Sequence, residues 1–343
     1  MILDMQKLSA FGHLQPLMDD PEIEEVWINS PNRIFVATKG KSQLTNLVLQ
    51  ESDIRDLLER LLIWGGRRLD LTNPFVDARL PDGSRLHAAI PEVTATHWAV
   101  NIRKHLMQGS SLQDLVDLNS LSNEIAEKLT LAVEQGLNIL ISGGTQAGKT
   151  TILNACASAI PVDQRVISIE EVFELKPKLP DWIALQTRTS NLEGEGEITL
   201  RRLIKEALRM RPSRLIVGEV REAEALDLLI ALNSGLPGMA TIHANSARSA
   251  IQKLQLLPLL AGENITQAFI NPAISTSIDL IVQCNMDLTG NRRVTEIAAV
   301  TGRVEMNQVE VDSIYKWNGK EYISGLSSIE SLFKIKRNMT EVK

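Results

Sequence analysis

The run GGTQAGKTT, residues 143–151, has the composition of a phosphate cradle. It fits the spacing G-x-x-x-x-G-K-[ST], with Gly143, Gly148, Lys149 and Thr150 in the fixed places. Glycines let backbone N–H groups wrap an anion without side-chain clash. Lys149 can reach the terminal phosphates of a nucleotide, and the Thr150 hydroxyl can hold a divalent cation. The whole loop (Gly143, Gly144, Thr145, Gln146, Ala147, Gly148, Lys149, Thr150 and Thr151) is the candidate binding element. Three further polar residues, Glu170, Glu219 and His243, each end a short apolar run. Glu219 can share the cation with Thr150 or orient an attacking water. Glu170, or Glu171 beside it, can take that water's proton, and His243 can contact the terminal phosphate. Each residue also has a plain alternative. Glu219 can be a solvated loop acid, Glu170 a helix-capping acid, and His243 a satisfied core or edge histidine. His13, His87, His97 and His105 receive only that plain reading.

Such residues need strands that end at one edge. Leu137–Ile141 reads as a buried parallel strand, followed by a glycine-rich turn and a helix opening near Lys149. VISIEE (166–171), Trp182–Gln186, RLIVG (214–218) and GMATIH (238–243) supply further strands. Helices are predicted at 121–135, at 199–210 with Leu200, Leu203, Ile204, Ala207 and Leu208 on one face, at 222–234, and between Ala247 and Leu260. DLIVQ and RRVTEIAAV add strands after Asp279. Strands alternating with helices mean an α/β domain with a parallel sheet, and ligands sit outside the carboxyl ends of such strands.

Residues 1–105 read as a separate, mixed α/β domain. Strands are expected at Glu24–Ile28, Arg33–Ala37, Leu44–Leu49, Arg85–Ile90 and His97–Arg103, with a turn at Pro81–Asp82–Gly83. A helix is expected from Ser52 to Trp64, with Ser52 as its N-cap and Gly65–Gly66 as its stop. Residues 106–120 read as a linker, and 121–343 as the phosphate-binding domain, with a C-terminal subdomain from about 247. The charged end, Lys334–Lys343, reads as solvated and frayed.

The totals exclude some classes. The chain has 343 residues and a formal net charge of −6, which gives no support to a generally basic nucleic-acid binder, so no direct nucleic-acid contact is expected. Its two cysteines, Cys156 and Cys284, lie in apolar stretches and fit no disulfide framework or C-x-x-C zinc pair. They read as small core residues in a reducing compartment. The start carries acids early and shows no secretion signal, and no apolar run approaches the ~18–20 residues that cross a bilayer. A cytoplasmic protein that docks on a membrane complex through a partner is the expectation.

GGTQAGKTT, ISIEEVFEL and ALRMRPSRLIVGEVREAEALDLLIALNSGLPGMATIHANSA together resemble the secretion-type traffic ATPases of type II secretion, type IV pili, tight-adherence pili and type IV secretion. That family shows a Walker A loop, an acidic "Asp box", a Walker B with Gly-Glu-[VI]-Arg and a "His box", here in the same order. The likeness extends to FVDARLPDGSRLHAAIP, VNIRKH and RRVTEIAAV; TRTSNLEGEGEITLRRLIKEALRMRP looks most like the tight-adherence branch. The resemblance implies an N-terminal α/β domain linked to a RecA-like P-loop domain, a homohexameric ring, and ATP with Mg²⁺ bound between the two domains. It places Glu170 on the Asp box, Glu219 and Arg221 on Walker B, and His243 on the His box. It assigns Arg79, Arg85 and Arg103, which alone would read as solvated strand residues, to the phosphates. It also implies an inner-membrane platform partner of a pilus or secretion machine, at the inner face of the cell membrane.

Three features depart from the family pattern. The four-cysteine zinc module is absent, the long helical N-terminal extension of the tight-adherence branch is missing, and Glu-Glu-Val replaces Glu-Asp-Thr in the Asp box. The function implied is an ATP-hydrolysing hexameric motor for pilus assembly or protein secretion. The alternatives are a conjugative or type IV secretion ATPase exporting DNA or protein, and a nucleotide-gated scaffold that does not hydrolyse ATP.

Overall fold

The protein is described by a computed structural model over residues 10–38, 40–65, 68–80, 82–104, 111–188, 190, 195–325 and 327–332. The sequence readings at Gly66, Pro81, His105, residues 106–110 and the end from residue 333 lie outside the described residues. The chain forms two compact units, Met1–Met107 and Gln108–Lys343.

In the first unit a short helix, α1 (Gln15–Asp19), precedes β1 (Ile23–Ser30), β2 (Arg33–Thr38) and β3 (Lys41–Leu44). Helix α2 (Glu51–Gly65) follows, then β4 (Phe75–Arg79), β5 (Arg85–Ala89) and β6 (Ala99–Arg103). The six strands make one antiparallel sheet in the order β3-β2-β1-β6-β5-β4. Helix α2 lays Ile54, Leu57, Leu58 and Leu61 against one face of it, on Val26, Ile28, Leu86 and Ile102. Two local expectations are corrected. The strand foreseen at Leu44–Leu49 ends at Leu44, because both the N–H and the hydroxyl of Thr45 turn back onto the Ile34 carbonyl (2.8 and 2.9 Å). Ser52 lies inside α2 rather than capping it. The cap is made from the other direction, with the Asp53 carboxylate accepting the Gln50 N–H at 2.8 Å.

The second unit opens on α3 (Leu112–Asp117), inside the stretch read as linker. Its capping box between Ser111 and Asp114 starts it, and Leu112 and Leu115 join the core. It is too short to show a helical period, which is why composition alone suggested a linker. Then come α4 (Asn123–Glu134), β7 (Ile139–Gly143), α5 (Lys149–Ala157), β8 (Val166–Glu170), β9 (Trp182–Gln186) and α6 (Leu200–Ala207). They are followed by β10 (Arg214–Val220), α7 (Glu224–Asn233), β11 (Gly238–His243), α8 (Ala247–Leu256) and α9 (Gln267–Ser277). The last elements are β12 (Leu280–Met286), β13 (Arg292–Glu305), β14 (Gln308–Trp317) and β15 (Tyr322–Ser324). Helix α9 went unread because it carries Pro272 in its interior, a residue that argues against a helix from sequence.

One sheet runs through this unit in the order β15-β14-β13-β12-β7-β11-β10-β8-β9. From β12 to β9 the pairs are parallel, and from β12 to β15 they are antiparallel. Alternate residues of β7 enter two cores. Ile139 and Ile141 pack with α4 and α5 through Ile125, Leu129 and Leu153, whereas Leu140 faces α6, α7 and α8 through Leu203, Leu228 and Ile251. Burial on both faces is why the strands read as continuous apolar runs. The architecture is α/β throughout, a mixed N-terminal unit followed by a RecA-like P-loop unit, as the sequence led us to expect.

Candidate functional site

Strand β7 delivers its chain to the carboxyl edge at Gly143, and α5 begins six residues later. Gly143 lies between two strands. It pairs with His243 of β11 on one side and with Cys284 of β12 on the other. A Cβ at Gly143 would stand 2.7 Å from both the carbonyl oxygen and the Sγ of Cys284, so only glycine fits. The turn that follows uses left-handed backbone at Gln146 (φ 61°) and at Gly148 (φ 92°), the N-cap of α5. Gly148 brings no capping side chain, so the first N–H groups of α5 are not taken by a side-chain cap. Lys149 folds back and donates from Nζ to the Gly144 carbonyl at 3.0 Å.

The neighbouring strands bring the other residues to this edge. β10 carries Glu219 and ends at Val220, which pairs with Ile242, one residue before His243. Arg221 follows at once and clamps two carboxylates. Its Nη2 and Nε donate to Glu219 Oε2 (2.7 and 3.1 Å), and its Nη1 donates to Glu171 Oε2 at 2.6 Å. Glu224 accepts the backbone N–H of Arg221 at 2.6 Å and holds the turn. Burial pulls the Arg221 pKa down, but Glu219, Glu171 and Glu174 outweigh it and raise it above the usual arginine value.

Glu170 ends β8 and is buried at 3 % exposure. Its Oε2 accepts the N–H groups of Glu174 (2.7 Å) and Leu175 (3.0 Å), so it fastens the loop after the strand. No helix begins there, so it is not a helix cap. The missing side chain of Gly218 leaves room for it, since a Cβ there would meet Glu170 Cγ at 3.1 Å. His243 is exposed at the end of β11. Desolvation first, then the charges of Lys149, Lys253 and Arg221, lower its pKa, with Glu219 opposing. Those charges place His243 in the same field as the loop lysine and the β10 carboxylate.

Thr150, in the first turn of α5, and Glu219 offer a hydroxyl and a carboxylate, hard oxygen donors that suit Mg²⁺. Among the described residues no group of three or more His, Cys, Asp or Glu side chains could hold a metal unaided. Two oxygen donors leave the other positions of such an ion to phosphate and water. Lys149, Glu170, Glu219, Arg221 and His243 thus gather at one edge of the second unit.

The three arginines gather elsewhere, with one another. Arg79 pairs with Arg85, Arg85 with Arg103, and Arg103 with Glu25, forming one cross-strand row on the first unit's sheet. Arg103 Nε lies 3.7 Å from Glu25 Oε1. Like charges placed directly opposite disfavour a sheet, and Glu25 at the end of the row offsets part of that cost.

Sequence reasoning missed three contacts. Arg292, at the start of β13, donates from Nε to the Gln146 carbonyl at 2.8 Å. Cys284 packs under Gly143, and Lys253 Nζ donates to the His243 carbonyl at 3.1 Å. Nothing in a lone basic pair or a core cysteine signals such contacts; the strand order brings Arg292 and Cys284 to the loop, and helix α8 brings Lys253 to His243.

The fold and site define a P-loop protein of the RecA-like class. Residues 7–340 match the family described as Type II/IV secretion system protein, and the chain belongs to that family. A Mycobacterium tuberculosis protein with a provisional conjugal-transfer name is 34% identical over 310 residues, spanning 87% of this chain and 88% of its own length. The conjugal transfer protein TrbB of Rhizobium radiobacter is 30% identical over 290 residues, spanning 83% of this chain and 86% of TrbB. In fold, the chain is similar to the Yersinia pseudotuberculosis ATPase DotB, with a TM-score of 0.59 at 16% identity over 96% of this chain and 84% of DotB.

Proposed function

We propose that this chain hydrolyses ATP and drives a secretion or pilus machine as a homohexamer. The observation that carries the reading is the meeting of the Lys149 loop, the Glu219–Arg221 pair and His243 at the carboxyl edge of one parallel sheet. The N–H groups of the loop 143–151 and the Lys149 ammonium bind the phosphates, and Lys149 exchanges the Gly144 carbonyl for a phosphate oxygen. Thr150 and Glu219 would hold Mg²⁺, which when bound neutralises charge on the β- and γ-phosphates. Glu219 orients the attacking water. Glu171, on the rim, accepts its proton, while Glu170 keeps the adjacent loop in place. His243 faces the γ-phosphate. Water attacks phosphorus, the bond to the bridging oxygen breaks, and ADP and phosphate leave. Arg79, Arg85 and Arg103 complete the charge on the phosphates, coupling hydrolysis to motion.

The chain acts at the cytoplasmic face of the inner membrane, docked on a platform protein. Among the described residues no helix is long and apolar enough to cross a membrane. Pilus assembly is favoured by the TRTSNLEGEGE stretch; a conjugative or type IV secretion machine is the second reading, supported by the names of the relatives. The test is steady-state ATPase activity with Mg²⁺, together with mass in solution with and without ATP. Lys149→Ala and Glu219→Gln are expected to lower turnover about 10²–10³-fold each, in a particle near six subunits. Tight ATP binding without turnover in any assembly state overturns the motor and leaves the scaffold.

A further inference from the structure

Bonds within the phosphate loop, from Lys149 Nζ and the Ala147 N–H to the Gly144 carbonyl, leave the Gln146 carbonyl to a partner from outside it. Gln146 is a non-glycine residue in left-handed backbone, a conformation that persists only where the surroundings impose it. The surroundings here come from the hairpin of β12 and β13, about 140 residues downstream. Cys284 of β12 pairs with Gly143 and fills the space beneath it. Asp287 then closes a tight turn by accepting the N–H groups of Thr289 (2.8 Å) and Asn291 (3.0 Å). The turn returns the chain as β13, whose first residue, Arg292, pairs with Met286. Arg292 donates from Nε to the Gln146 carbonyl at 2.8 Å. Its stem covers Gly148, with Cδ 3.4 Å and Cβ 3.8 Å from where a Cβ at that residue would stand. One side chain therefore braces both left-handed residues of the loop, one by a hydrogen bond and the other by packing.

We propose that Arg292 is a positioning residue for nucleotide binding, holding Gln146–Gly148 in the phosphate-receiving shape from the β12–β13 hairpin. The inference rests on the proposed binding of ATP at this loop. With the brace removed, the loop N–H groups must be ordered by the incoming phosphates, so affinity falls while the chemical step, made by other residues, persists. The Nε bond is made to the loop backbone, so what that bond contributes to nucleotide binding runs through the loop.

The test is the dissociation constant of a fluorescent ADP, with KM and kcat for ATP, for the full chain and for Arg292→Met, Arg292→Lys and Lys149→Ala. Melting without nucleotide is measured alongside. Met keeps the stem over Gly148 and loses the donor; Lys keeps the stem and offers its ammonium, one bond further out, as the donor to the carbonyl. Arg292→Met is expected to weaken ADP and raise KM about tenfold or more, with kcat within about threefold and nucleotide-free melting unchanged. Arg292→Lys is expected to recover much of the affinity. Unchanged affinity in Arg292→Met, beside a loss in Lys149→Ala, overturns the inference and leaves the ATPase reading standing. Equal losses of affinity and melting temperature in Met and Lys alike also overturn it, since they mean a general role in the fold. Failure of the unsubstituted chain to bind ADP overturns the ATPase reading itself, and the inference with it.

Discussion

The titratable residues at the strand ends divide the work by their surroundings. Arg221 holds Glu219 and Glu171 with one guanidinium, so neither carboxylate faces the site without a counter-charge. Glu170, one residue from Glu171 in sequence, is buried on backbone N–H groups. His243 titrates below the usual value because desolvation, Lys149 and Lys253 all disfavour its cation. It is therefore neutral at pH 7, able to share a hydrogen bond with a phosphate oxygen without carrying charge. The sign for stability follows. Protonation is easier in the unfolded chain, so His243 withdraws stability as pH falls below about 6.5 and contributes nothing above it. Its imidazole, followed by NMR, should titrate below about 6.5, and Lys149→Met should move the midpoint up. A midpoint at or above that value in the unsubstituted chain would contradict this electrostatic picture.

At the scale of elements, the β12–β13 hairpin brings Cys284 and Arg292 against the loop, and its turn is set by one acid. Hydrogen bonds from the Thr289 hydroxyl first, then from the backbone of Asn291 and Thr289, hold the Asp287 carboxyl at about 2, well below the usual range. A depressed carboxylate contributes stability above its unfolded value of about 3.8 and loses it as pH falls through the folded one. Asp287→Asn should therefore melt at lower temperature than the unsubstituted chain at pH 5 to 7. The difference should close between pH 4 and 2. A gap that stays constant across that range would show that the charge is not what holds the turn. The apolar framework behind it follows ordinary packing. Leu153 of α5 is fully buried among β7 and α4, yet the helix-start chemistry of Gly148 and Lys149, not this packing, is what the site uses.

At the scale of the whole molecule, the chain offers two sets of candidate site residues in two units. The second unit carries the loop, Glu219, Arg221 and His243, and the first carries the row Arg79, Arg85 and Arg103. The row is a local cationic feature on a chain whose net charge is −6. If the row serves the phosphates in the transition state, Arg79→Ala, Arg85→Ala and Arg103→Ala should each lower kcat by about 10²-fold or more while ADP affinity and melting stay near the unsubstituted values. Turnover unchanged in all three would remove the arginines from the reaction and leave a solvated, charged strand surface.

The sequence by itself determined the phosphate loop, its strand and helix, and the strand ends that bear Glu170, Glu219 and His243. Local rules govern those features: an apolar run of strand length, glycines where backbone must approach an anion, and a polar residue where a buried strand emerges. It also determined the α/β class, because alternating strands and helices leave few ways to bury both faces of a parallel sheet. Helix α9 escaped because Pro272 is tolerated in an interior that tertiary packing stabilises, and α3 because six residues show no period. Only the tertiary structure decided which distant residues meet. Register set Arg79, Arg85 and Arg103 in one row, and a one-residue slip would have scattered them to opposite faces. Strand order put β12 beside β7, and so placed Cys284 under Gly143 and Arg292 against Gln146. Neighbours across a sheet are fixed by the packing of the whole domain, and no local pattern in the chain records them.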